Sequence, residues 1–539
     1  MSHLKTREGG CVPGILLLGV AAMGLLLTAP SRAAAPGITG TSFSLNAGVG
    51  YSIQPDGVQI YSWGYGCAAG FTPTYAPRQF AAPIGFCPSM QLPGPTLIVK
   101  EGGSFTVTLT NSLPAAAGNT SIVFPGLSVT TSGTGPQGLL TQEAVPGGTV
   151  MYTVTAPVGT AGTHAYYSGT QPDLQIEMGL FGAVIVLPSA TYANCTATET
   201  GREDFRLAPS AYDHNLTCYD REYLVQWSEI DPRIHSQAEN QIKQIQSCAT
   251  GLQFSCPTRL DVPTEPYHPN YYLINGRSMP DDMDPNYAPN YPNQPYNGNP
   301  HMHPGELVLL RVIGQGHWQH PFHEHGNHVR ILGRDGNLLV SQTNAALLAG
   351  RMEFNTDTTP GQAFDGIFYW SGKGLGWDIF GHTASNAGNA PCVPDVNGYY
   401  TVHSSPPASI PTYSAAGVMT SGSPNYYEWC ADHDVPLEAN PVGAVGGGGP
   451  MTLMDPLILS NGLWYNGTPY LGPDAVNRSR GPTPLPPGTA TQNPPAESGI
   501  AFMWHSHNER EITTNDVFPG GMLMMMLVDP YVWNIDETL

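Results

Sequence analysis

A glycine turn leads into a regular alternation of side chains at Val99-Lys-Glu-Gly-Gly-Ser-Phe-Thr-Val-Thr-Leu-Thr110. In an extended chain, Phe105, Val107 and Leu109 fall on one face, and the threonines between them fall on the other. This period of two residues predicts an antiparallel strand with one buried face. The apolar segment Glu306-Leu-Val-Leu-Leu-Arg-Val-Ile313 predicts a second strand that is more deeply buried.

The chain repeats this turn-and-strand unit together with the segments that follow it. Three pairs of segments resemble each other in kind and recur in the same order: 99–109 with 302–310, 145–152 with 359–366, and 178–186 with 520–528. Two copies of one structural unit explain this shared order. The repeat therefore predicts an all-β protein built from tandem Greek-key β-sandwich domains.

The two sandwiches are expected at residues 36–190 and 205–539. The second copy is longer because a stretch rich in Gly, Pro and Ser, about 371–499, carries few strand patterns. We interpret this stretch as a large loop-rich insertion in one hairpin of the second sandwich. The alternative is a second sandwich at 205–385 followed by a third at 395–539.

The composition agrees with short strands joined by turns. Among 539 residues there are 63 Gly and 52 Pro, and charged residues make up 11%, against about a quarter in a typical soluble domain. So few charged residues leave little material for long exposed helices, whereas Gly and Pro favour turns. The formal net charge of −21 argues against nucleic acid as a partner.

The first residues have the pattern of a secretory signal peptide. A basic start precedes an apolar run from Gly14 to Ala29, and small residues follow at Ser31-Arg-Ala-Ala-Ala35. The run is too short to cross a bilayer comfortably, so we expect cleavage near residue 33 and no membrane span in the mature chain. The expected location is outside the cytoplasm: the periplasm, the cell surface or the extracellular space.

Cysteine usage agrees with export. Beyond the signal segment the chain has eight cysteines, an even number: Cys67, Cys87, Cys195, Cys218, Cys248, Cys256, Cys392 and Cys430. In an exported chain this count predicts disulfide bonds, although the spacing leaves their pairing open. No two of them form a Cys-x-x-Cys pair, which argues against a zinc finger or thioredoxin chemistry.

Histidines concentrate in two short segments. Seven of the 17 lie within 301–328, including His317-Trp-Gln-His-Pro-Phe-His-Glu-His-Gly326, and a second group is Phe502-Met-Trp-His-Ser-His-Asn508. In each His-x-His, both imidazoles leave the same face of a strand. Two such strands side by side would hold His323, His325, His505 and His507 around one metal ion. Imidazole suits copper, with zinc as the alternative metal.

Several of these segments resemble the motifs of multicopper oxidases. His320-Pro-Phe-His-Glu-His-Gly326 resembles their His-Pro-x-His-Leu-His-Gly motif, and Gly94-Pro-Thr-Leu-Ile-Val-Lys-Glu-Gly-Gly103 resembles the start of their first cupredoxin domain. Residues 179–186 resemble the end of that domain, and His505-Ser-His507 resembles the closing His-Cys-His region. The resemblance implies cupredoxin-like sandwiches, bound copper, and oxidoreductase chemistry with dioxygen and a small reductant.

The motifs depart from the family at the positions that hold its type 1 copper. The resemblance places the cysteine ligand at Ser506 and one histidine ligand at Glu511, so only His320 is retained. A hydroxyl cannot replace the soft thiolate of a blue copper site, and we expect no type 1 copper. His320 is kept as a fifth, secondary candidate for a metal ligand.

The first sandwich departs from the family in the same way. Val123-Phe-Pro-Gly-Leu127 and Tyr166-Tyr-Ser-Gly-Thr170 stand where the resemblance implies His-x-His pairs. Half of the eight imidazoles of a three-copper cluster are thus missing. Tyr and nearby carboxylates can also bind metals, so we considered five substitutes: Tyr166, Tyr167, Glu324, Glu509 and Glu511.

Three functions are compatible with this pattern. The first is an exported oxidoreductase whose metal centre is reduced in size to the two His-x-His pairs. The second is a non-catalytic metal-binding protein, and the third is a structural extracellular protein of cupredoxin repeats. Met522-Leu-Met-Met-Met526 could suggest a copper(I) relay, but its match to a core strand of the first copy favours packing.

Overall fold

The computed structural model describes most of the expected sandwiches. The described ranges are 35–81, 83–195, 205–248, 257–303, 305–370 and 499–529, with residue 535 and the short segments 412–413, 419–421 and 468–470. The expected signal peptide (1–33) and most of the expected insertion (371–499) lie outside these ranges.

The first half of the chain forms ten strands. They are β1 (Gly37–Thr39), β2 (Ser42–Ile53), β3 (Gln59–Cys67), β4 (Thr74–Ala76), β5 (Leu97–Lys100), β6 (Gly103–Asn111), β7 (Ser128–Gly133), β8 (Thr149–Ala156), β9 (Gly162–Tyr167) and β10 (Phe181–Leu187). One sheet has the order β4-β1-β5-β10-β9, and the other has the order β3-β2-β6-β8-β7.

The second half contributes fifteen strands within the described ranges. They are β11 (Arg221–Ile230), β12 (Tyr271–Ile274), β13 (His301–Met302), β14 (Leu307–Gly314), β15 (His320–Glu324), β16 (Val329–Arg334), β17 (Asn337–Leu338), β18 (Met352–Glu353), β19 (Asn355–Thr358), β20 (Ala363–Tyr369), β21 (Thr412–Tyr413), β22 (Met419–Ser421), β23 (Thr468–Tyr470), β24 (Gly499–Ser506) and β25 (Leu523–Val528). One sheet follows β12-β11-β14-β20-β16-β17 with β18 on β16, and the other follows β13-β25-β24-β15-β19 with β23 on β24. The strands β21 and β22 pair only with each other.

Helices are few in the described chain. They are α1 (Pro172–Gln175), α2 (Pro232–Cys248) and four single 3-10 turns at Arg78–Phe80, Ala115–Ala117, Ala193–Cys195 and Asp281–Met283. Helix α2 buries Ile234, Ala238 and Ile242 against the core of the first sandwich. Among the described helices, none combines the length and the apolar character that crossing a bilayer requires.

Each pair of sheets encloses its own core. Leu97 and Val184 of one sheet meet Val107 and Tyr152 of the other in the first sandwich. In the second, Trp227 and Leu310 pack with Phe322, Trp504 and Met524 of the facing sheet. Burial alternates along β6 as the sequence predicts. The prediction of tandem cupredoxin-like β-sandwiches is confirmed, while the exact domain limits stay predictions.

The strand pairing bears out the internal repeat. In the first sandwich, β2 runs parallel to β6, β6 pairs antiparallel with β8, and β5 runs parallel to β10. The second sandwich repeats these pairs as β11 with β14, β14 with β20, and β13 with β25. The three matched segment pairs of the sequence therefore occupy equivalent places in the two sandwiches.

A buried ion-pair network joins the two sandwiches. Asp365 of β20 accepts hydrogen bonds from the backbone N–H of Thr163 at 3.0 Å and from the Tyr212 hydroxyl at 2.6 Å. Arg311 lies 3.5 Å from Asp365 and donates to Glu222 at 2.8 Å. Because all these charges are buried and partnered, the network fixes β9 of the first sandwich against the second.

Two disulfide bonds are present in the described chain. Cys67 is bonded to Cys87, and Cys195 is bonded to Cys218. The first bond ties the end of β3 to the loop before β5, and the second spans the connection between the sandwiches. The prediction that the chain contains disulfides is confirmed by these two pairs.

Candidate metal centre

Strands β15 and β24 bring the two His-x-His pairs together. The strands are antiparallel neighbours, and His323 lies directly opposite His505. Alternation along the strands directs Phe322 and Trp504 into the core of the sandwich. The imidazoles of His323 and His505 consequently share the other face of the sheet.

Three of the predicted imidazoles converge closely enough to hold one ion. One ring nitrogen from each of His323, His325 and His505 lies within 4.8 Å of the other two. The Nε2 atoms of His325 and His505 are 3.3 Å apart. Two nitrogens bound to one ion at tetrahedral angles with bonds of about 2.0 Å would also be about 3.3 Å apart.

His507 completes the group at its solvent side. Its ring centroid is 4.6 Å from that of His323 and 5.6 Å from that of His505. The other three histidines are buried, whereas the His507 side chain is 49% exposed. Phe354, itself half-exposed, lies beside this opening with its ring 5.6 Å from the ring of His323. The cluster is therefore reachable from solvent past His507 and Phe354.

The electrostatics of the cluster favour neutral rings. Burial and the neighbouring histidines lower the pKa of His323 to about 4 and that of His325 to about 3. Burial also lowers the pKa of His505. The Nδ1 atom of His505 lies 2.7 Å from the Ser506 carbonyl oxygen, which only accepts, so Nδ1–H donates and Nε2 keeps its lone pair. Neutral imidazoles with inward lone pairs are what a metal ion requires.

His320, the secondary candidate, does not join this cluster. Its Nδ1 lies 2.9 Å from Glu511 and its Nε2 lies 2.9 Å from Glu229. Because carboxylates only accept, both ring nitrogens donate and the ring is a cation. Burial by itself lowers the pKa of His320, but the hydrogen bonds to Glu229 and Glu511 outweigh it and raise the pKa to about 9.

The positions implied for the type 1 copper thus form a closed hydrogen-bond network. The hydroxyl of Ser506 donates to Glu511, and the side-chain amide of Asn508 donates to the other oxygen of Glu511 at 2.8 Å. Trp227 stacks on the ring of His320 with 6.3 Å between centroids. A hydrogen bond from the His320 ring to the Glu511 carboxylate thus lies where the family's motif implies copper ligands.

Sequence reasoning missed Glu229, the second partner of His320. Glu229 lies near the end of β11, and its Oε1 also accepts the backbone N–H groups of His317 at 2.6 Å and Trp318 at 2.9 Å. It is 91 positions away from His320 in the chain. No local motif marks it, and a buried glutamate at the end of an apolar strand was the only available signal.

The carboxylates considered as substitute ligands have other roles. Glu324 points into the core, accepts from the Thr356 hydroxyl at 3.1 Å, and has its pKa raised well above the usual range by burial. Glu511 is committed to His320. Glu509 alone lies near the cluster, 3.2 Å from Nδ1 of His507, and both side chains are exposed.

The remaining histidine pair is held by its own acidic partners. Nδ1 of His301 lies 2.8 Å from Asp529, and Nδ1 of His303 lies 3.2 Å from Glu306. His301 and His303 are thus engaged by Asp529 and Glu306, and neither is among the imidazoles that converge on β15 and β24 in the described chain. The methionines of the closing strand also have a structural role, because Met522, Met524 and Met526 are fully buried in the second core.

The first sandwich contains a matching position without imidazoles. Tyr167 pairs with Phe181 of β10, as His505 pairs with Leu523 of β25, and Val123 bridges to Tyr167 as His323 pairs with His505. By this register Val123, Pro125, Tyr167 and Gly169 correspond to the four clustered histidines. Tyr166, on the other face, is buried in the core and donates to the Pro95 carbonyl at 2.8 Å.

Comparisons with known proteins agree with this picture. Residues 87–191 match a family model described as multicopper oxidase, which confirms the resemblance over most of the first sandwich. A blue copper oxidase from Nitrosomonas europaea is 14% identical with a TM-score of 0.43, covering 90% of this chain and 85% of that one. The multicopper oxidase mgLAC is 12% identical with a TM-score of 0.42, covering 92% and 88%. No curated protein matches the chain in sequence.

Proposed function

We propose, from the multicopper oxidase match and from the histidine cluster, that this chain is an exported copper-binding oxidoreductase. Its metal centre is smaller than the family's and has only four histidine ligands. The metal is held by His323, His325, His505 and His507. The observation that carries the proposal is the convergence of one nitrogen from each of three buried imidazoles within 4.8 Å. Domain limits of 36–190 and 205–539 belong to the same proposal.

The donor set fits copper. All four residues supply imidazole, which copper accepts readily, and three of them are kept neutral by burial. The half-exposed position of His507 leaves a route for a small molecule such as dioxygen. Bound copper would supply redox chemistry at this point, while the surrounding strands fix the positions of the imidazoles.

The residues present do not fit a type 1 copper. Ser506 offers a hydroxyl in place of a thiolate, Glu511 offers a carboxylate in place of an imidazole, and both nitrogens of His320 donate to carboxylates. A remote electron-entry site is therefore not part of the proposal. A small reductant has to reach the histidine cluster itself, through the opening beside His507 and Phe354.

Export is supported by the disulfides and by the amino-terminal segment. Two disulfides in the described chain fit an oxidising compartment such as the periplasm or the cell exterior. The segment before residue 34 carries the basic, apolar and small-residue regions of a signal peptide in its sequence. We propose that the mature protein acts outside the cytoplasm.

Metal analysis of the purified full chain tests this function. After addition of copper or zinc and removal of the excess, we expect copper to stay bound in the wild type and to be lost in His323→Ala and His505→Ala. His268→Ala is the matched control, because His268 is exposed and is not one of the clustered histidines. Copper that binds equally well to the two cluster variants would contradict the assignment.

Oxygen consumption separates the enzyme from its alternative. A non-catalytic metal-binding protein would hold copper at the same four histidines and show no turnover. With ascorbate or a phenol as the small reductant, the copper-loaded wild type is expected to consume oxygen faster than the His323→Ala variant. Equal rates in the two, with copper bound in the wild type, would favour the binding protein.

A further inference from the structure

A cavity lies between the two sandwiches, separate from the histidine cluster. Its volume is about 350 Å³, within the size range of small-molecule sites. The first sandwich contributes Gly126, His164 and Tyr167 to its wall, and the second contributes Asp335 and Gln362. The network around Asp365 fixes the two walls relative to each other.

His164 presents an unused acceptor to this cavity. The side chain is 3% exposed, and its Nε2 lies 3.0 Å from the carbonyl oxygen of Thr160. Since a carbonyl oxygen only accepts, Nε2–H donates, and the tautomer with its hydrogen on Nε2 has its lone pair on Nδ1. Within the described chain this Nδ1 has no hydrogen-bond partner. A buried acceptor without a donor is costly, and a bound donor would remove that cost.

Glycines keep the space in front of these side chains open. A Cβ atom on Gly126 would lie 3.3 Å from Nδ1 of His164, and one on Gly361 would lie 3.3 Å from the Tyr167 hydroxyl. Both glycines have positive φ angles, 79° and 76°, which other residues rarely adopt. The opening beside His164 and Tyr167 therefore exists because glycine backbone, without side chains, passes in front of these two residues.

The charge at the cavity favours a cation. The Asp335 carboxylate is held in place by the backbone N–H of Ala363, which donates to Oδ1 at 2.8 Å. Burial and the nearby charge of Asp335 both raise the pKa of the Tyr167 hydroxyl, and the two side chains line the same cavity. No lysine or arginine is among the described residues that line the cavity. Nδ1 of His164 and the negatively charged Asp335 carboxylate thus line a cavity to which the described residues contribute no positive charge.

We propose that this cavity binds a small organic ammonium compound, whose N–H groups donate to Nδ1 of His164 and to the carboxylate of Asp335. An ammonium group supplies three donors and one positive charge, which complements both acceptors. Tyr167 forms the wall beside the bound group. This site is independent of the copper site, because its walls are formed by β9 and by the turns at 335 and 359–362.

Calorimetric titration of the purified full chain with benzylammonium tests the proposal, with benzyl alcohol as the neutral counterpart. We expect one saturable site for benzylammonium and an affinity for benzyl alcohol that is lower by about tenfold or more. Asp335→Asn, which keeps an oxygen for the Ala363 N–H, should weaken benzylammonium by a similar factor. Asp261→Asn, at an exposed carboxylate, should leave the affinity unchanged.

Three outcomes would overturn the proposal. One is the absence of saturable binding, and another is equal binding of the amine and the alcohol. The third is loss of binding in His323→Ala, because amines can coordinate copper and would then be bound at the histidine cluster. The comparison of amine with alcohol uses the wild type alone, so it holds even if a variant folds poorly.

Discussion

Nδ1 of His320 and Oε2 of Glu511 are joined by a hydrogen bond of 2.9 Å at the place where the multicopper oxidase motif implies a copper ligand pair. Glu229 holds the other nitrogen of the ring at the same distance. Both carboxylates are buried, so the imidazolium between them has no access to a metal ion. At this point of the sandwich, the polar atoms of the His320 ring are satisfied by hydrogen bonds to two buried carboxylates.

The first prediction is that two substitutions restore a type 1 copper site. Ser506→Cys with Glu511→His supplies the thiolate and the second imidazole beside His320, whose Nε2 is already oriented by Glu229. On addition of copper(II), we expect an intense visible absorption that the wild type lacks. The matched control is Ser506→Cys with Glu511→Gln, which lacks the second imidazole. A double variant as colourless as this control would contradict the equivalence of the positions.

The second prediction concerns stability against pH. The pKa of His320 is raised from its ordinary value of 6.5 to about 9 in the folded chain. Because the folded chain binds this proton more tightly than the unfolded chain, the protonated ring stabilises the fold fully at pH values below 6.5. This contribution to stability is lost as the pH rises through 9. The loss should approach about 3 kcal/mol in the free energy of unfolding, measured by denaturant titration. Glu511→Gln should reduce the slope between these pH values, and an unchanged slope would show that His320 is not charged.

The third prediction is that copper raises the unfolding temperature through the histidine cluster. An ion that binds only the folded state at about a thousand times its dissociation constant adds about 4 kcal/mol of stability. We expect this increase in the wild type and its loss in His505→Ala, while the unfolding temperature without copper changes little. His268→Ala, at an exposed histidine, should keep the full increase. Differential scanning calorimetry with and without copper measures both effects.

The fourth prediction addresses the junction of the two sandwiches. Asp365→Ala leaves Arg311 with Glu222 as its acidic partner and removes the acceptor of Thr163 and Tyr212. Loss of one partner from a buried ion pair typically costs about 3–5 kcal/mol. Arg510→Ala breaks the exposed pair with Asp516 and should cost no more than about 1 kcal/mol. Similar costs for the two variants would show that the buried network does not join the sandwiches.

The four histidines of the cluster could be predicted from the sequence because they lie in two short motifs. A His-x-His on an extended strand places both rings on one face, and the resemblance to the multicopper oxidase motifs implied that the two pairs meet. The register between β15 and β24, which places His323 opposite His505, is known only from the structure. The resemblance also implied that Val123 and Tyr167 occupy positions of the family's ligands, and these two residues form a β-bridge.

The partners that come from distant segments could not be predicted in this way. Glu229 meets His320 only because β11 and β15 lie in facing sheets of one sandwich, and hydrophobic periodicity does not report which polar residue lies across a core. The cavity beside His164 has the same origin. It depends on turns at 126, 336 and 361 from both sandwiches, and single glycines in a chain rich in glycine carry no specific signal.

The fifth prediction tests whether the backbone shapes the surroundings of His164. A Cβ atom on Gly336 would lie 2.3 Å from Cε1 of that ring, and the φ angle of Gly336 is 72°. Gly57 has a similar φ of 83°, but a Cβ atom there would meet nothing within 4 Å. Gly57→Ala should therefore cost only the backbone strain, about 1–2 kcal/mol in the free energy of unfolding.

Gly336→Ala should cost about 1–3 kcal/mol more than that, because the ring cannot move aside without losing its hydrogen bond to Thr160. Denaturant titration of the two variants beside the wild type gives the difference directly. If Gly336→Ala is no more destabilising than Gly57→Ala, the His164 ring is free to shift, and Nδ1 is not held at a fixed place in the cavity wall. A larger cost for Gly336→Ala shows that the acceptor is preorganised, which a binding site for a donor requires.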